Sequence, residues 1–237
     1  MIAYITGTSS GIGKALAELL LNQGHQVVGL SRRNNIMHPN YNHITIDLTD
    51  LSQLKAIDFS SHLNDDVILV NNAGGIGAIK PIGSQTADEI IELNVLNSIV
   101  PQILCNKFIA KYRSNATLKY QILNISSGAS KRPIDAWATY CASKASINLF
   151  SETILEELKS RGYNNWSVFS ISPGVVDTEM QSDIRSSNPN DFLGHQKFID
   201  LKNNDELLNP KIIAEKMAKL IYSPSLFQST YILLNEV

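Results

Sequence analysis

Ile2-Ala3-Tyr4-Ile5-Thr6-Gly7-Thr8-Ser9-Ser10-Gly11-Ile12-Gly13 runs straight into Lys14–Asn22, where apolar residues return at helical spacing. A short apolar run, a glycine-rich turn and an amphipathic stretch in immediate succession predict a buried strand that feeds a helix. Glycines let the backbone turn tightly and approach a pyrophosphate, and the helix start supplies free N–H groups with partial positive charge. The spacing is GxxxGxG, and no Gly-Lys-Ser or Gly-Lys-Thr comes after it, which argues against a nucleoside-triphosphate loop. The second strand, Gln26–Leu30, opens into Ser31-Arg32-Arg33. A dinucleotide site that selects the unphosphorylated ribose usually places a carboxylate here, and none occurs until Asp47. Ser31, Arg32 and Arg33 are donors suited to a 2′-phosphate, which points to NADP(H).

The same alternation continues along the chain. Further strands are predicted at His43–Ile46, Val67–Val70, Gln121–Ile125, Ser167–Ile171 and Thr230–Leu234. Helices are predicted over about Ala87–Lys111, Ala138–Ser160 and Pro210–Ile221. Strands separated by helices imply right-handed crossovers and a doubly wound α/β fold of Rossmann type, with a mostly or wholly parallel sheet. No internal repeat or linker divides residues 1–237, so a single domain is expected. The stretch 181–209, rich in Asn, Asp and Ser, reads as a substrate loop or lid within it.

Composition narrows the function classes. Twenty Lys and Arg against 22 Asp and Glu leave a formal charge of −2, which argues against nucleic-acid or anionic-membrane binding. No apolar run approaches the ~20 residues of a membrane span, and no secretory signal is read at the start. Cys105 and Cys141 cannot build a disulfide framework, so a cytoplasmic setting is expected. The five histidines lack zinc-ligand spacing, and no metal is expected.

Tyr140 and Lys144 stand four residues apart in a predicted helix and so share one face. A phenol ionises near ~10 and needs electrostatic help to exchange protons at neutral pH; a nearby ammonium gives it. Upstream, Asn124-Ile125-Ser126-Ser127-Gly128 closes a predicted strand. With Thr6-Gly7-x-x-x-Gly11-Ile12-Gly13, Asp47-Leu48, Asn71-Asn72-Ala73-Gly74, Asn94 and Pro173-Gly174, these pieces resemble the short-chain dehydrogenase/reductase family over nearly the whole chain.

That resemblance implies roles position by position. Ser127, 13 residues before Tyr140, would hold the substrate oxygen, with Ser126 the weaker candidate. Tyr140 would be the general acid in reduction. Lys144 would bind the nicotinamide ribose and lower the tyrosine pKa, and Asn94 would hold a water in the proton relay. Gly7, Ser9, Ser10, Gly11, Ile12 and Gly13 would cradle phosphate. Asp47 and Leu48 would meet adenine, while Asn71, Asn72, Ala73 and Gly74 would line the cofactor. Pro173, Gly174, Val176 and Thr178 would orient the nicotinamide. The family also implies a homodimer, with a tetramer as the alternative.

Trp137, three residues before Tyr140, and Cys141 after it are similar to the sepiapterin reductase and benzil reductase branch, which reduces vicinal dicarbonyls. Met180 and Leu234 are read as further substrate residues. Leu234 falls where sepiapterin reductases carry the aspartate that binds the pterin, with Asn235 and Glu236 beyond. A leucine offers no charge-assisted hydrogen bond, which favours a small carbonyl compound of benzil type over a pterin. The rivals are a pterin reductase, a ketoacyl or hydroxysteroid reductase and, outside enzymes, an NADP-binding redox sensor.

Overall fold

In the computed structural model, which describes residues 1–59 and 64–236, seven strands form one sheet. They are β1 (Ile2–Thr6), β2 (Gln26–Ser31), β3 (Tyr41–Thr45), β4 (Val67–Asn71), β5 (Tyr120–Ile125), β6 (Trp166–Ser172) and β7 (Tyr231–Leu233). Their order is β3-β2-β1-β4-β5-β6-β7, and every pairing is parallel. The chain builds outward from β1 to β3 and then returns beside β1 with β4. The reversal opens a crevice at the carboxyl ends of β1 and β4, where open parallel sheets bind ligands.

The described helices are α1 (Gly11–Asn22), α2 (Leu51–Ala56), α3 (Ala87–Asn94), α4 (Val100–Tyr112), α5 (Ala138–Ser160), α6 (Glu179–Arg185), α7 (His195–Asn203) and α8 (Pro210–Tyr222). They cover both faces of the sheet, which explains why β1 and β4 are apolar and buried along nearly their whole length. Side chains alternate between two cores. Ala3 and Ile5 pack with Leu16, Leu20 and Met217 beneath α1 and α8, while Ile2 and Tyr4 pack with Phe108, Ile154 and Trp166 beneath α4 and α5. Strand β3, at the sheet edge, shows no such double burial.

Two segments depart from the sequence reading. The expected helix over 87–111 is interrupted by one turn of π-helix at Val95–Ile99, between α3 and α4. Such a turn adds a residue and rotates the helix beyond it, and it lies beside the crevice. The stretch 181–209 is no bare loop: it completes α6 and holds α7, because Ile184, Phe192 and Phe198 find an apolar cluster with Trp137 and Tyr140. Asp50 caps α2 by accepting from the Ser52 and Gln53 amides. Among the described residues, no helix is long and apolar enough to cross a membrane.

Candidate active site

A cavity of about 1070 Å³ lies over the carboxyl ends of the strands. At one end is the turn from β1 into α1. Ser10 occupies the N-cap with an extended backbone, yet its side chain makes no cap bond and the first turn carries no acid. The first amides of α1 are thus left for an anion, in a wall formed by Gly7, Ser9, Ser10, Gly11 and Ile12. Gly13 lies behind the wall: a Cβ there would fall 2.4 Å from the Gly7 carbonyl and 2.3 Å from Asn72 Nδ2. Asn72 bonds the Thr6 and Gly7 carbonyls at 2.9 and 3.2 Å, so the turn is fixed to the end of β4.

Ser31, Arg32, Arg33, Asp47 and Leu48 line the same end. Thr49 donates to the Asp47 carboxylate from its amide and its hydroxyl, and these bonds, with the Arg32 charge, hold the carboxyl below its ordinary pKa. Arg33 and Glu179, both largely exposed, approach to 3.9 Å across the rim. Such a pair contributes little in water. Ala73 and Gly74 join Asn72 along the floor. Asn71 does not: its amide donates to Asn124 Oδ1 at 2.8 Å, which ties β4 to β5.

At the other end, the first turns of α5 present Tyr140 and Lys144 to the cavity, opposite the end of β5. The two neighbouring serines part company here. The Ser126 hydroxyl is committed to Asn148 Oδ1 at 2.6 Å, whereas Ser127 lines the cavity with Tyr140. Burial pushes the phenol above its ordinary pKa, with the Ser127 hydroxyl acting the other way. The Lys144 ammonium, 5.9 Å from the tyrosine ring, donates to the Ile125 carbonyl at 2.9 Å; burial brings its pKa down to about 8. Desolvation dominates the phenol, and Lys144 is not among the groups that shift it here.

Asn94 is not among the residues that line the cavity. Its amide donates back to the Ile90 carbonyl at 2.8 Å within α3. The polar side chain beside Lys144 is that of Asn97, in the π turn. A Cβ placed on Gly74 would lie 3.1 Å from Asn97 Oδ1 and 3.2 Å from Lys144 Nζ. Asn97 is buried, accepts from the Gly75 amide, and donates to the Gly75 carbonyl and Ser143 Oγ. A polar Asn97-Ser98 pair within an apolar helical stretch was the available signal.

Pro173, Gly174, Val176 and Thr178, after β6, complete the rim. Met180 Sδ accepts from the Tyr140 hydroxyl at 4.0 Å. Trp137 lies edge-on to Tyr140 with ring centroids 5.6 Å apart, and Phe192 and Phe198 approach it at 5.6 and 5.3 Å. The loop before α7 is tied down where the Leu193 amide donates to Asp135 at 2.9 Å. Neither phenylalanine was foreseen, because the polar composition of the segment masks two apolar rings six residues apart. Leu234 is placed elsewhere than expected. It is fully buried in the core beneath α1 and α8, and its neighbours Leu233 and Asn235 line the cavity instead. The side chain of Glu236 lies outside the described residues. No group of three His, Cys, Asp or Glu side chains converges among the described residues.

Residues 1–189 match the family described as short chain dehydrogenase. The chain is 33% identical to "Benzil reductase ((S)-benzoin forming)" of Bacillus cereus, over 98% of each chain. It is 35% identical to the protein of the same description from Bacillus subtilis (strain 168), over 92% of this chain and 91% of that one. It is also similar to the solved 4-hydroxyisoleucine dehydrogenase complexed with NADH: 25% identity, TM-score 0.77, over 98% of this chain and 96% of the other.

Proposed function

The chain belongs to the short chain dehydrogenase family, and from that premise we propose that it is an NADPH-dependent reductase of small ketones and vicinal dicarbonyls of benzil type. One observation carries the reading. Ser127, Tyr140 and Lys144 meet at one end of a cavity whose other end is an uncapped helix start, with an aromatic wall beside the tyrosine. The cavity fits a dinucleotide on its own features. The open amides of α1 suit a pyrophosphate, and the close approach of Gly13 to Gly7 and Asn72 leaves the turn no room for larger residues.

The nicotinamide, when bound, supplies the hydride. Ser127 steadies the substrate oxygen through its hydroxyl, and Tyr140 gives that oxygen its proton. A phenol kept protonated by burial is ready as an acid in the direction of reduction. Lys144, held to the end of β5, restores the proton through its ammonium or binds the ribose hydroxyls. We assign the relay position beside it to Asn97 in place of Asn94. The wall of Trp137 and Phe198 keeps water from the tyrosine and suits a substrate with an aryl group next to its carbonyl. Arg32 and Arg33 at the rim, with no carboxylate among residues 31–33, support NADPH over NADH. The exposed apolar side chains of Ile91, Ile99 and Leu149 support pairing with a second copy.

The decisive experiment incubates the protein with NADPH or NADH and a panel of benzil, diacetyl, sepiapterin and a simple ketone, monitoring loss of the reduced nicotinamide. NADPH-linked reduction of benzil ahead of sepiapterin is expected. No turnover of any carbonyl, with NADPH still bound, would favour the sensor alternative.

A further inference from the structure

A partly buried row of hydrogen bonds runs from the edge strand β3 to Ser31. The Ser31 hydroxyl donates to the Arg33 carbonyl at 3.0 Å and lies 3.3 Å from Thr8 Oγ1. Thr8 Oγ1 is 2.9 Å from Tyr41 Oη, and Tyr41 Oη is 3.1 Å from His43 Nδ1. Each hydroxyl owns one proton, and a carbonyl can only accept. With the Ser31 proton on Arg33, Thr8 must donate to Ser31 and Tyr41 to Thr8. His43 must then donate from Nδ1 to Tyr41. Every bond in the row points the same way, toward Ser31.

The row is built into the pairing of β2 and β3. Gly29 is opposite His43 and Val27 opposite Tyr41, so Gly29, Ser31, Tyr41 and His43 share one face. Gly29 makes the crossing feasible: a Cβ there would fall 2.0 Å from Tyr41 Oη and 2.5 Å from Thr8 Oγ1. Thr8 and Ser31 are 1% and 6% exposed, so water competes weakly for these bonds. Burial holds the Tyr41 phenol above its ordinary pKa, as a standing donor requires.

We propose that Tyr41, backed by His43 and acting through Thr8, is a positioning residue that presents Ser31 as a donor to a ribose 2′-phosphate and so helps select the phosphorylated dinucleotide. The inference rests on the NADPH reading above. Donation into Ser31 Oγ draws electron density from it, which strengthens its own proton as a donor and weakens the oxygen as an acceptor. A 2′-phosphate needs donors, whereas a free 2′-hydroxyl is usually recognised by an acceptor. When the Ser31 proton turns from the Arg33 carbonyl to a phosphate, no other hydroxyl in the row has to reverse.

The test is Tyr41→Phe, which keeps the ring and removes the link. Dissociation constants are measured by titration calorimetry for NADPH and NADH, and for adenosine 2′,5′-bisphosphate and 5′-AMP as fragments. Loss of one neutral link should weaken NADPH and the bisphosphate about threefold to tenfold, while NADH and 5′-AMP stay within about twofold. In a Ser31→Ala background the same change should have no further effect. Equal weakening of both dinucleotides would make Tyr41 a merely structural residue and overturn the proposal. An unaltered preference in Tyr41→Phe would overturn it while leaving the NADPH reading intact. Absence of any NADPH preference in the unaltered protein would remove that reading and this proposal together. If Tyr41→Phe does not fold, Thr8→Val cuts the row one link nearer Ser31 and is judged by the same ratio.

Discussion

Lys144 Nζ is bonded to the carbonyl of Ile125, the last residue of β5, at 2.9 Å. The helix that carries the tyrosine and the strand that delivers Ser126 and Ser127 are thereby joined by the lysine proposed to act with them. Any shift of α5 along the sheet would move the phenol and the ammonium together, and both relative to Ser127.

Replacing Tyr140 by Phe removes the proposed proton donor and keeps the ring against Trp137. Turnover of benzil should fall by about 10² to 10⁴. The dissociation constant of NADPH, measured by fluorescence, should change little. Substantial retained reduction would take the acid role from Tyr140.

Lys144→Met should raise stability as it abolishes turnover. The lysine titrates near 8 in the fold against an ordinary 10.5, so between those values the folded chain binds fewer protons than the unfolded one. Stability of the unaltered protein therefore rises with pH across that window, and the cost of the buried charge is complete below about pH 8. The advantage of the Met variant should reach about 3 kcal/mol at pH 7 and shrink toward pH 10.5. Urea unfolding of both proteins at pH 7, 8.5 and 10 measures it; a flat difference would refute burial as the cause.

Phe198→Ala opens the aromatic wall away from the reacting groups. Loss of one buried ring face should lower kcat/KM for benzil roughly tenfold to a hundredfold. Diacetyl, which has no aryl group, should lose about threefold or less. Equal losses for the two diketones would show that Phe198 shapes the fold of the segment and not the substrate preference.

Leu234→Asp tests the corrected placement of that residue. A carboxylate in a fully buried apolar position should cost about 4 kcal/mol or more in unfolding experiments. Asn235→Asp, at an exposed position on the cavity, should leave stability within about 0.5 kcal/mol and raise relative activity on sepiapterin. A stable Leu234→Asp protein with improved pterin reduction would restore Leu234 to the substrate site.

Legibility in the sequence depends on how local each signal is. The β1 turn, the Ser127–Tyr140–Lys144 spacing and the helix over Ala138–Ser160 all depend on near neighbours, and the structure places them as read. Asn97 stayed hidden because a one-residue π insertion changes which side chains of a continuous helix face Lys144, and the Asn97-Ser98 pair gave only an indirect sign of it. Leu234 was misplaced because the chain leaves β7 at Leu233 for a 3₁₀ turn over Leu234–Glu236, where a shift of one residue exchanges core for cavity. Phe192 and Phe198 acquire meaning only beside Trp137, more than fifty residues earlier.

The helix that bears the phosphate turn is covered by the far end of the chain. Leu16 and Leu20 of α1 share their core with Ile213 and Met217 of α8, and His25 bonds Tyr222 across 197 residues. During synthesis the turn emerges well before its supporting layer, α8. A nascent chain would hold α1 with its apolar face uncovered until α8 arrives, a long-range closure of the kind that slows folding and invites association. Chaperone demand and sensitivity to truncation near α8 should thus be properties of the cofactor end of the molecule, even though α8 touches none of its chemistry.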